Sequence, residues 1–166
     1  MTPFFRFFRT LAASVVVSSA AAVVYGQPPP PHPPSDGEMA AAYQVRRTAL
    51  ITAYLARTDP ADLERGGLHD VAVNFAQGTH LEWARVRLKA LTANPSGAMF
   101  WMYPMALVMN AGEPHLNAED WANIREAWRT YFPYRGDTEN HWLMYYASLY
   151  VAAEKWPDLP GSEWYN

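Results

Sequence analysis

The stretch Ala98-Met99-Phe100-Trp101-Met102-Tyr103-Pro104-Met105-Ala106-Leu107-Val108-Met109 decides the fold. It holds no charged residue and is apolar on every side, whereas a surface helix confines its apolar positions to one stripe. The segment therefore reads as a helix buried all round, bent at Pro104, whose ring removes an N–H and crowds the preceding turn. Such a helix needs other helices around it, and the flanking sequence supplies them.

Upstream, Thr79 and Glu82 have capping-box spacing and open a helix whose apolar positions are Trp83, Val86, Leu88 and Leu91, closed before Asn94-Pro95. Leu68 to Ala76 forms another, broken by Gly78. Asp59-Pro60 reads as a cap and first-turn proline, starting a short helix that Gly66-Gly67 ends. Ser35 and Glu38 again have capping-box spacing, and Met39, Ala42, Tyr43, Ala49, Leu50, Ala53 and Tyr54 keep a helical period to about Arg57. Downstream, Asn117 caps a helix from Ala118 to about Tyr131. A last helix carries Trp142, Tyr145, Tyr146, Leu149, Ala152, Ala153 and Trp156 at three- and four-residue steps until Pro157 stops it. No run alternates apolar and polar residues between turn signals, so no sheet is expected. The expected fold class is all-α, an array of antiparallel helical hairpins over residues 36–166.

Both ends carry separate signals. Arg6 and Arg9 precede an apolar, small-residue stretch from Leu11 to Val24, and Val24-Tyr25-Gly26 offers a cleavage site, so residues 1–26 read as an export signal. The apolar run is shorter than the roughly 20 residues that span a bilayer, which disfavours a retained anchor helix, and no membrane contact is expected after cleavage. Residues 27–35 form a proline-rich tether, with six prolines between Gln27 and Pro34 favouring an extended chain. At the other end, Gly161-Ser162-Glu163-Trp164-Tyr165-Asn166 stops where a loop would lead to another helix. Either Trp164 and Tyr165 tuck back onto the domain or the sequence is the N-terminal piece of a longer protein; the second is preferred.

Composition narrows the chemistry. Without Arg6 and Arg9 the chain keeps 11 Lys+Arg against 16 Asp+Glu, a net charge near -5, and it has no basic cluster, so nucleic acid is not an expected partner. With no cysteine there is no disulfide, no acylated lipoprotein anchor, no thiolate metal site and no cysteine nucleophile. The seven Trp and ten Tyr can serve either a dense core or a stacking surface. His69-Asp70 and His80-Leu81-Glu82 lack the spacing of a helical zinc pair and read as solvated or capping, His115 lies in a loop and His32 in the tether, so neither metal nor cofactor is expected. No serine occupies a Gly-x-Ser-x-Gly elbow. The row Phe100, Trp101, Tyr103, Met105 and Met109 fits core better than a sugar groove.

The richest constellation is Arg135-Gly136-Asp137-Thr138-Glu139-Asn140-His141-Trp142, across a helix start whose unpaired N–H groups suit an anion. Two readings are open. In one, His141 is a base near neutral pH, Asn140 hydrogen-bonds a carboxylate or hydroxyl, and Arg135 pairs with a carboxylate. In the other, Asp137 or Thr138 caps the helix, Glu139 complements its dipole, and Asn140 and His141 bind nearby backbone.

The fifteen residues from Gly136 to Tyr150, Gly-Asp-Thr-Glu-Asn-His-Trp-Leu-Met-Tyr-Tyr-Ala-Ser-Leu-Tyr, resemble a segment of large, mostly uncharacterised bacterial secreted proteins with an (α/α) toroid fold, themselves similar to polysaccharide lyases of the alginate and chondroitin lyase type. The resemblance implies an incomplete (α/α) toroid, a periplasmic or extracellular location, and β-elimination on a uronic-acid polysaccharide. It further implies that Asn140 neutralises the uronate, His141 is the base or second neutraliser, and Tyr145 or Tyr146 moves a proton, with Arg135, Glu139 and Trp142 on the substrate. Adjacent helical residues point about 100° apart, so Asn140 and His141 face one substrate only at a frayed first turn. An incomplete toroid would also expose apolar surface and self-associate. The competing expectation is a non-catalytic periplasmic binding or scaffold domain.

Overall fold

The computed structural model describes residues 33–131 and 135–160, and among these the chain is all-helical, without strands. The readings of residues 1–26 as a signal, of most of the tether, and of residues 161–166 lie outside the described residues. The chain divides into two compact units, up to Ala53 and from Tyr54 onward.

Six α-helices are described: α1 (Asp36–Ala56), α2 (Leu68–Gln77), α3 (Leu81–Ala93), α4 (Met99–Ala111), α5 (Ala118–Thr130) and α6 (Glu139–Lys155), with one 3₁₀ turn at Glu113–His115. The first unit holds α1 up to Ala53. Its start is the expected box: the Glu38 carboxylate accepts from the Ser35 backbone N–H at 2.8 Å, and the Glu38 N–H donates to Ser35 Oγ. The same device opens α5, where the Asn117 and Asp120 side chains each accept the other's backbone N–H at 2.9 Å. Gly78 ends α2 in the left-handed region at φ 65°.

Two local expectations fail. Residues 58–67 are turns rather than a short helix, because Asp59 and Asp62 turn their carboxylates onto the N–H groups of Ala61, Glu64 and Arg65 and satisfy locally what a helix would have used. Thr79 and Glu82 form no capping box. His80 is the residue before α3, at φ 44°, and the Thr79 hydroxyl donates instead to the buried Asn74 side chain at 3.1 Å.

In the second unit α4 is central, packing against α2 on one side and α6 on the other, while α3 packs against α2 and α5. The all-apolar reading of α4 holds for most of its length: Trp101, Met102, Met105, Val108 and Met109 are buried. Pro104 sits inside the helix and contributes no N–H to the Phe100 carbonyl one turn back. Phe100 itself is an exception, 59% exposed. The Trp101 ring meets Trp128 and Tyr131 edge-on, at 5.7 and 5.4 Å between centroids, and Trp128 donates to Met109 Sδ. Asn74, fully buried, is paired: it donates to Thr58 Oγ1 and the Asp70 carbonyl while accepting from Thr79.

Among the described residues no helix is long and apolar enough to cross a membrane.

Candidate functional site

The start of α6 is placed by a loop that touches the start of α4. Gly136 is buried at φ 80°, a left-handed conformation that glycine adopts without strain. A Cβ there would lie 2.6 Å from His141 Nδ1 and 2.7 Å from Met99 Cε, so the loop seats directly on those two side chains. The Gly136 carbonyl accepts from Trp142 Nε1 at 3.0 Å, tying the loop to the first turn of the helix.

That first turn is regular. Thr138 is the residue before it, in extended backbone, and its carbonyl accepts the first helical bond from Trp142 N at 3.0 Å. Its side chain makes no cap bond; the hydroxyl donates to Asn140 Oδ1 at 2.6 Å instead. With helical geometry in force from Glu139, successive side chains fan out by about 100°.

The expected site residues consequently fall into three directions. Arg135, Trp142 and Tyr146 come together on an exposed face: the guanidinium lies 4.6 Å from the Trp142 ring and donates to the Tyr146 hydroxyl at 3.1 Å. Trp142 and Tyr146 are 42% and 52% exposed, and Glu139 is exposed on the same turn. His141 points toward α4, where Phe100 meets its ring edge-on at 5.4 Å. Its Nδ1 is enclosed and has no hydrogen-bond partner. Asn140 is exposed and engaged by Thr138. Tyr145 packs against the core and meets Tyr146 at 5.3 Å.

The last helix therefore buries only part of the stripe its apolar spacing suggested, Tyr145, Leu149, Ala152 and Trp156, and leaves Trp142, Tyr146 and Ala153 exposed. Ser148 and Ala152 are buried, with Tyr145, Leu149 and Trp156 half-buried beside them, while Trp142, Tyr146 and Tyr150 face outward. The three outward aromatics repeat every fourth residue, so they form one stripe along the helix.

Sequence reading passed over two contributors. Gly136 is the hinge on which His141 is seated, and its only signal was a glycine two residues before a helix cap. Phe100 was grouped with the core but meets His141 at the surface. Among the described residues no group of three or more His, Cys, Asp or Glu side chains is arranged to hold a metal ion.

No protein-family model matches the chain, and no curated protein or solved structure matches it at a significant level.

Proposed function

We propose that this is an exported, carbohydrate-acting protein of the polysaccharide-lyase-like helical type, which engages a uronate-containing polysaccharide at the start of α6. The observation that carries the reading is the exposed trio of Arg135, Trp142 and Tyr146. A guanidinium fork is matched to a carboxylate, an indole face to the C–H face of a sugar ring, and a phenol to proton transfer. The packing order, with α2, α4 and α6 side by side and α3 beside α5, supports helical hairpins laid down as in an (α/α) toroid.

In the reaction the resemblance implies, the proton next to the uronate carboxyl leaves, a carbon–carbon double bond forms, and the glycosidic C–O bond breaks as its oxygen gains a proton. At this cluster Arg135 neutralises the carboxylate and so stabilises the charge that develops there. The Tyr146 hydroxyl, already hydrogen-bonded to Arg135, is the group that carries the proton. No oxidant or cofactor enters the balance.

One observation favours a second reading, a non-catalytic binding domain: Arg135, Asn140 and His141 do not converge. The two part in a single experiment. The purified protein is incubated with uronate polysaccharides while ultraviolet absorbance follows unsaturated product and co-sedimentation follows binding, with Arg135→Ala, Tyr146→Phe and His141→Ala alongside. Product formation lost in Tyr146→Phe supports the lyase. Binding without product, weakened roughly tenfold or more by Arg135→Ala, supports the binding domain. A folded protein that neither binds nor cleaves any of these polymers overturns both.

A further inference from the structure

We draw no further inference here: the strongest candidate, the outward stripe of Trp142, Tyr146 and Tyr150 along α6, belongs in part to the site already described, and nothing in the structure shows what covers the remainder.

Discussion

Replacing Gly136 with alanine tests the seating of the α6 loop most directly. At φ 80° an L side chain meets its own carbonyl, a cost of about 1–2 kcal/mol. The new methyl would also stand 2.6 Å from His141 Nδ1, 2.7 Å from Met99 Cε and 3.0 Å from His141 Cβ. Met99 is 3% exposed, so its tip has no solvent to retreat into, and overpacking of this kind costs about 1–3 kcal/mol. Together the two terms predict a loss of about 2–5 kcal/mol in urea unfolding, with the slope of the transition unchanged. Gly37→Ala is the control. That glycine has a negative φ and no atom within 4 Å, so the substitution leaves stability level or raises it by no more than about 1 kcal/mol. A Gly136→Ala protein within about 0.5 kcal/mol of the parent would refute the seating of the loop on His141 and Met99. The placement of Arg135 and Trp142 would fall with it, because the Trp142 indole is tied to the Gly136 carbonyl.

Further outcomes follow from buried polar groups. Asn74→Ala removes the side-chain partner of Thr58, Thr79 and the Asp70 carbonyl and should cost about 2–4 kcal/mol by calorimetry; a cost below about 1 kcal/mol would mean that these bonds are not made in solution. Asp120→Ala removes both the α5 capping box and one partner of Arg85, 3.3 Å away, and should cost about 2–4 kcal/mol, whereas Glu119→Ala, which removes only an exposed pair with Lys89, should leave the unfolding midpoint nearly unchanged. Tyr103 makes alkaline stability informative. Its folded pKa, about 12, lies above the ordinary 10, so its stabilising contribution is complete below pH 10 and disappears as pH rises toward 12, a change of about 2–3 kcal/mol. The same pH scan on Tyr103→Phe should lack that component, and identical curves would count against the enclosure of the phenol.

Much of the architecture was legible because helix boundaries are local matters. Ser35 with Glu38, Asn117, and Gly78 each act on backbone groups within four residues, so their types at those places are enough to mark an end. The same spacing misled at Thr79 and Glu82, where a tertiary partner, Asn74, took the threonine hydroxyl. Asp59-Pro60 misled for a different reason: its neighbour Asp62 turned its carboxylate onto two nearby N–H groups and held a turn where a helix had been expected. The candidate site was legible as a place more than as a geometry. Its residues lie where the sequence put them, yet a regular first turn sends Asn140, His141 and Trp142 in three directions.

By itself, then, the order of residues determined that the described residues are helical, that α4 is the most apolar element among them, and that a sequence without cysteine forms neither disulfide nor thiolate site. Tertiary structure decided which side of α6 turned inward, which aromatics remained outside, and that the His69 ring should meet those of Tyr54 and Tyr103. Hydrogen bonds that build a helix close within four residues and leave their mark in adjacent sequence. Contacts between residues 34 positions apart, such as His69 and Tyr103, depend on how whole helices pack, and no short stretch of sequence records that.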